Sequence, residues 1–428
     1  MDRRHFLSVT SLMGAGWVLS PEINRDHYED SKSGYSLPER AQKLLDAASK
    51  PAIKQDVLPL NPVILESVEL LKHGRQFLVR VRNNEGAEGI AVSNHLILRY
   101  SQSLFVETIA PFFESTDARL VEKTIDDLYR SSYLTPSTYK WQGIQFWSCI
   151  ASIELAILDL LGKLVEKNIT HILGNGRIQE EIGVYRASGN RGNAPEEEVD
   201  FFREQVEAIG AKAIKYRLGA RMHYTDDSTK RDRALIPLMR ESFPDLTLYS
   251  DANGSYDIQT AIEMGRLQEE YEYAFFEEPC PFDHYDETRK VTKALDMIVA
   301  GGEQEFSMRQ FIWQMDHNVI DLVQPDIFYF GGLSRSIRIA RAAESIGMTS
   351  TPHISGAGLG FLYAVLMAAC IPNAGPYHEY KGVDQDLPAE SPGISFIPQN
   401  GIIRVPSEAG IGVQIDPDFV SAAQHIVK

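Results

Sequence analysis

From Gly183 onward the chain repeats one unit, a short apolar strand followed by a polar turn and an amphipathic helix, and this repeat restricts the fold more than any other feature of the sequence. The strands are read at GVYRAS, AIKYR, LTLYSDAN, YAFFEEP, MIVAGGE, IDLVQPD and MTSTPH. Near-continuous apolar runs of this kind suit parallel strands covered on both faces. The segments between them, such as PEEEVDFFREQVEAIG and SRSIRIARAAESIG, carry an apolar stripe and end near glycine, which is the pattern of surface helices. About seven or eight such units in roughly 200 residues is the arithmetic of a (β/α) barrel. An open doubly wound sheet is the rival architecture, but its G-x-G-x-x-G first turn is missing.

Acids fall at the ends of three successive strands: Asp251 after LTLYS, Glu277 after YAFF and Glu303 after IVAGG, each 26 residues from the next. One βα unit per acid brings all three to the C-terminal mouth of a barrel, where active sites of that fold lie. Singly, such an acid is ordinarily a helix N-cap. Three at one register repel one another unless a hard cation neutralises them, and oxygen ligands without His or Cys favour Mg²⁺ over zinc. The register continues through Asp326, His353 and Glu379, at spacings of 23, 27 and 26 residues. On AIKYR, the alternation of side chains along a strand puts Lys215 and Arg217 on one face, giving a basic pair on one side of the metal and a histidine on the other.

In this order the motifs Lys215-Tyr216-Arg217, DAN from Asp251, EEP from Glu277, GGE from Gly301, QPD from Gln324 with Gly331-Gly332 after it, and TPH ending at His353 resemble the mandelate racemase group of the enolase superfamily. The resemblance covers roughly residues 60–425, including a closing segment NGIIRVPSEAGIGVQID that in the family returns to a cap domain. It implies a modified TIM (β/α)7β-type barrel with an α+β capping domain. It makes Asp251, Glu277 and Glu303 the Mg²⁺ ligands and His353 a general base or acid paired with Asp326. Glu379 becomes a hydrogen-bond donor to the developing enolate, and Asn253 and Lys215 become substrate contacts. A carbon acid beside a carboxylate is so weak that the negative charge of its enediolate must be met by Mg²⁺, Lys215 and a protonated carboxyl before a base at neutral pH can act.

Arg217 departs from the racemase, which has Lys-x-Lys with the second lysine as a base. A guanidinium stays protonated, so it serves as a poor base and a good anion clamp. A two-base racemase needs competent bases on both faces of the substrate, whereas dehydration runs with one. The expected reaction is therefore loss of water from an acid sugar, an aldonate or aldarate, giving a 2-keto-3-deoxy acid. The alternatives are a racemase, epimerase or cycloisomerase using the same enediolate, and a non-catalytic acid-sugar binding protein that has kept the fold.

The remaining segments frame this core. Residues 56–145 are expected to form the cap, opening with an antiparallel hairpin of VILESVELL and QFLVRVRN around a short Lys72–Arg75 turn, and 391–428 to complete it. ASIELAILDLLGKL is read as a helix following the hairpin, and the barrel is assigned to 146–390. Because many relatives carry a longer loop where this hairpin turns, residues 21–60 or a neighbouring subunit are expected to help close the site. Arg3 and Arg4 ahead of a mildly apolar run make residues 1–20 resemble a twin-arginine export signal, hence a periplasmic protein; without export it would be cytoplasmic. Residues 21–55 are polar and aperiodic and read as a linker or arm. No other segment is expected to reach the roughly 20 apolar residues of a membrane span.

A formal charge of -17 disfavours nucleic acid and anionic membranes as partners, leaving a small carboxylate substrate and, by the resemblance, a homo-oligomer. Cys149, Cys280 and Cys370 match no C-x-x-C spacing and read as buried apolar filler. The aromatic stretch 271–286 reads as packing, with Glu278 supporting the metal ligands from behind.

Overall fold

The computed structural model describes residues 37–131, 138–223, 225–355, 359–382 and 387–427. The twin-arginine expectation for residues 1–20 falls outside them. A cap sheet is built from β1 (Leu65–His73), β2 (Gln76–Asn83) and β3 (Glu88–Val92), all antiparallel. The helices α1 (Glu39–Ser49), α2 (His95–Leu104), α3 (Ala110–Phe113), α4 (Val121–Arg130) and α5 (Ile144–Leu164) complete this half of the chain.

Three expectations are corrected here. Part of the expected linker is helical: α1 buries Leu44, Ala47 and Ala48 against Phe311, Ile312 and Met315 of a barrel helix. Arg40 donates to Met315 O and Arg338 to Ala48 O, so this segment docks on the outer helices of the barrel and does not close its mouth. The periodicity of α1 is short and its polar face long, which hid it among charged neighbours.

The second correction concerns α5, which the boundary at 146 assigned to the barrel. It lies against the cap sheet so closely that a Cβ on Gly89 would meet Ala156 O at 2.1 Å, and Asp159 accepts from Ile90 N at 2.9 Å. Third, α5 does have the length and hydropathy of a membrane span, contrary to expectation. It is instead a core helix, 89% buried in that stretch. Its Glu154 carboxylate caps the start of a barrel helix by accepting from Leu333 N and Ser334 N. The side chain can approach because Gly332, at φ +111°, has no Cβ to meet it.

The barrel strands are β4 (Glu181–Ala187), β5 (Ala213–Arg217), β6 (Thr247–Asp251), β7 (Phe275–Glu277), β8 (Ile298–Gly301), β9 (Leu322–Val323), β10 (Thr349–Ser350) and β11 (His378–Tyr380). They pair in parallel from β4 to β10, and β11 pairs with β4. The ring closes at Ser350, whose N–H donates to Asn373 O and whose carbonyl accepts from Gly375 N. Between the strands run α6 (Pro195–Ile209), α7 (Asp226–Ser242), α8 (Ile258–Glu270), α9 (Tyr285–Ala294), α10 (Met308–Asp316), α11 (Leu333–Ser345) and α12 (Gly360–Ala368). Sequence sets their ends: α6 starts on Pro195 with three glutamates in its first turn and stops at Gly210 in the left-handed region, and Asp257 caps α8 through Thr260 N.

Inside the barrel, Tyr185, Tyr249, Phe275 and Leu322 fill the lower layer, with Tyr249 and Phe275 stacked at 4.0 Å. That plug leaves polar side chains only toward the C-terminal rim. After β12 (Ala389–Glu390), the tail adds β13 (Ile402–Arg404) antiparallel to β4, then pairs β14 (Gln414–Ile415) with β12. It passes through α13 (Pro417–Ser421) and places β15 (Gln424–Ile426) beside β1.

Candidate active site

Parallel register assembles the rim. Arg217 stands opposite Asp251 and Asp251 opposite Glu277, while a bridge just beyond β9 and β10 sets Asp326 beside His353. Asp251, Glu277 and Glu303 are buried, and one oxygen from each lies within 4.8 Å of the others. Oε1 of Glu277 and Oε2 of Glu303 are buried without a hydrogen bond. Carboxylate oxygens stranded in this way are costly unless a cation meets them, and a set of three hard oxygen donors fits Mg²⁺.

On one flank Lys215 donates to Glu277 Oε2 at 2.6 Å and lies 3.3 Å from Glu379 Oε1. Burial disfavours its charge, but Glu277 and Glu379 more than offset this and hold it protonated. Arg217 makes an ion pair with Asp251 and donates through Nε to Ser188 O at 3.0 Å. Its guanidinium also stays charged: burial works against it, while Glu379, Glu277 and Glu303 hold it up. Asn253, in the left-handed region at φ 44°, donates its backbone N–H and side-chain amide to Asp251. The amide also reaches Glu278 Oε2 at 3.2 Å, so Asn253 braces the acids as well as facing the cavity.

On the opposite flank His353 Nδ1 lies 2.8 Å from Asp326 Oδ2. An ionised carboxylate only accepts, so Nδ1 carries the hydrogen and Nε2 is the nitrogen left for chemistry. Asp326 is itself fixed by N–H groups of Phe328, Tyr329 and Ser355. Nε2 lies 3.1 Å from Glu303 Oε2 and 3.5 Å from Glu379 Oε2. Burial lowers the imidazole pKa and Lys381 opposes its charge, yet Glu303, Glu379 and the Asp326 bond leave it above 6.5.

Glu379 is buried among cations. Burial favours its neutral form, but Lys215, Lys381, His353 and Arg217 together hold its carboxyl well below the usual carboxylate range. These surroundings favour its ionised form over the protonated donor that the resemblance implied. The carboxyl pushed up is Glu278, by burial first and then by the charges of Glu303 and Glu277. Glu278 thus stands in the wall of the cavity and not merely behind the ligands.

Lys381 was missed in the sequence. It lies 2.9 Å from Glu379 Oε2 and 3.5 Å from His353 Nε2, and donates to Ile354 O at 2.8 Å. The signal was present, since Glu379 and Lys381 stand two apart at a strand end, as Lys215 and Arg217 do. Arg191, which donates to Asn253 Oδ1 and Leu218 O, was also missed, and nothing local in RGNAPEE marks it.

Of these groups Arg217, Asn253, Glu278, Glu303, His353 and Lys381 line a cavity of about 260 Å³, together with Leu96 of α2, Tyr329 and Ser355. The cap reaches the site through this stretch, with Asn94 donating to Ser355, and not through the Lys72–Arg75 turn. A larger cavity of about 540 Å³ lies between the cap sheet, α5 and the tail, but most of its charges are paired: Lys163 with Asp159, and Arg82 with Glu88 and Glu69. Size does not pick out the site; unsatisfied chemistry selects the rim. Among the other reactive groups, Cys149, Cys280 and Cys370 are free and buried.

Residues 197–419 match the family model described as Enolase C-terminal domain-like. The chain is 26% identical to arabinonate dehydratase of Saccharolobus solfataricus over 72% of its length and 79% of that protein's. It is 27% identical to D-galactarolactone cycloisomerase of Agrobacterium fabrum, over 64% of this chain and 73% of the relative. The fold matches the crystal structure of a mandelate racemase/muconate lactonizing protein from Paracoccus denitrificans complexed with magnesium, with a TM-score of 0.75 and 24% identity, covering 85% of this chain and 99% of that one.

Proposed function

The chain belongs to the Enolase C-terminal domain-like family, and from that premise we propose that it is a Mg²⁺-dependent dehydratase of an acid sugar. The observation that carries this choice of reaction is the asymmetry of the rim: a single imidazole faces the metal triad from one flank, and from the other come a fixed ammonium and a guanidinium. The similarity to arabinonate dehydratase supports the same reaction type.

Asp251, Glu277 and Glu303 would hold a divalent cation, which would supply positive charge for the substrate carboxylate as it gains negative charge on loss of the alpha proton. Lys215 and Arg217 add fixed charge on the same side without reorganising. His353 Nε2 takes the alpha proton while Asp326 holds the ring and balances the imidazolium. The imidazolium then returns that proton to the beta hydroxyl. The carbon–oxygen bond breaks, water leaves, and the enol relaxes to the 2-keto-3-deoxy acid. A cycloisomerase or epimerase would share the first step, and the similarity to D-galactarolactone cycloisomerase supports it as the second reading.

The test is a panel of aldonates and aldarates with MgCl₂, read for 2-keto acid and for solvent deuterium at the alpha carbon. Keto acid is the expected product; epimer or lactone without it would move the chain to the second reading. Export through the Arg3-Arg4 leader is part of the same proposal, tested by whether Arg3→Lys/Arg4→Lys abolishes periplasmic recovery.

A further inference from the structure

Arg221 is a cation of the rim that the mechanism leaves unused. It lines the rim cavity with Arg217, Lys381 and Tyr329, in the loop that follows β5. The other cations there are committed: Arg217 to Asp251, Lys215 to Glu277 and Lys381 to Glu379. Among the described side chains no carboxylate makes an ion pair with Arg221.

An arginine at a cavity mouth is ordinarily just solvated, but this one is held in place at a cost. Arg221 and Met222 both sit in the left-handed region, at φ 55° and 52°. Two consecutive side-chain-bearing residues adopt it only when their surroundings impose it, and such strain gathers at ligand sites. Here the restraints are visible. Arg221 N donates to Ser255 Oγ at 2.8 Å, and Met222 N donates to Asn253 O at 2.8 Å. Just upstream, Gly219 N donates to the buried Asp232 at 2.9 Å, and a Cβ on Gly219 would meet Ser255 Cβ at 2.2 Å. The loop is thus pinned to the turn that carries Asn253. It also crowds like charges, for Arg191 is pulled down to about 9 by burial and then by Arg217 and Arg221. Of these gathered guanidiniums only Arg217 has carboxylate contacts, with Asp251 and Glu379, and the group calls for a further anion.

We propose that Arg221 receives a second carboxylate of the substrate, at the end remote from the carbon that loses its proton, so that the enzyme prefers aldarates to aldonates. The proposal rests on the acid-sugar reading and narrows it. A carboxylate matches the single positive charge of one guanidinium fork, whereas a phosphate carries nearly twice the charge and would call for a second uncommitted cation.

Binding and turnover separate the two claims. Binding is measured by calorimetry with the full chain and MgCl₂ on a His353→Asn background, using D-glucarate and galactarate against D-gluconate and D-galactonate. A diacid is expected to bind at least about tenfold more tightly than its matching monoacid. Arg221→Gln should weaken diacid binding by roughly 10- to 100-fold and monoacid binding by less than about threefold, with Arg221→Lys in between. Arg221→Gly, which removes the backbone strain, should lose the same discrimination should the glutamine variant melt early. Equal affinity for both classes, no binding of either diacid, or uniform weakening on substitution would overturn the assignment. Tighter binding of 6-phosphogluconate than of either diacid would overturn it in favour of a phosphate. Turnover is followed separately in the unmodified enzyme: a diacid preference without 2-keto acid formation sinks the dehydratase reading and leaves the Arg221 assignment standing.

Discussion

The two flanks of the rim are both basic, yet they are built for different tasks. On β5, Lys215 and Arg217 are locked into ion pairs with Glu277 and Asp251, and their surroundings keep both charged. Beyond β10, His353 is held by one carboxylate and approached by two others, so its charge can change as those neighbours are neutralised. The difference teaches that a fixed cation stabilises charge while only a titratable group moves a proton, and this rim has one flank of each kind.

The sharpest break of that contrast is His353→Asn. Turnover should fall by roughly 10³- to 10⁴-fold and alpha-deuterium exchange should vanish with it. Exchange that survived would reveal a second base on the β5 flank. Asp326→Asn should cost about 10- to 100-fold in kcat with little change in KM, because it releases the imidazole without removing it. Arg217→Lys should lower kcat/KM by about tenfold through loss of the planar fork, without creating epimerisation. Appearance of an epimer would mean that the identity of this one cation decides between the two reactions.

The proton affinity of His353 sharpens the contrast further. In the metal-free protein its imidazole should titrate above 6.5 by NMR, and Mg²⁺ should lower that value, since Glu303 is the strongest of the groups raising it. The sign for stability follows: a raised folded-state pKa contributes stability in full below 6.5, and the contribution is lost as pH rises through the folded value. Activity moves oppositely, gaining as the neutral base appears. The smallest effect is expected far from either flank: Arg82→Ala, in the larger cavity, should cost at most about 1 kcal/mol in a denaturant melt and leave kcat unchanged.

Much of this site was legible because a barrel converts sequence period into spatial proximity. Acids one βα unit apart had to meet if the strands were parallel, and Asp251, Glu277 and Glu303 do. Lys381 was equally legible by alternation and was overlooked because only the last acid on its strand was followed. The helix α1 was hidden because its apolar positions are few and its partner helices lie more than 250 residues away in sequence. Arg191 and Arg221 carry no local signature, since their importance comes from two loops folding against one turn.

By itself, then, the sequence determined which residue types arrive at the rim and in what order, because strand alternation and a regular unit length are local rules. Only the tertiary structure decided the charge each one carries there. Glu379 and Glu278 are the same side chain in buried settings; against that burial, three nearby cations and the His353 imidazole favour ionisation of the first, while burial and two carboxylates push the second toward its neutral form. Charge state depends on distances between groups that the chain brings together from afar, and no local pattern encodes those.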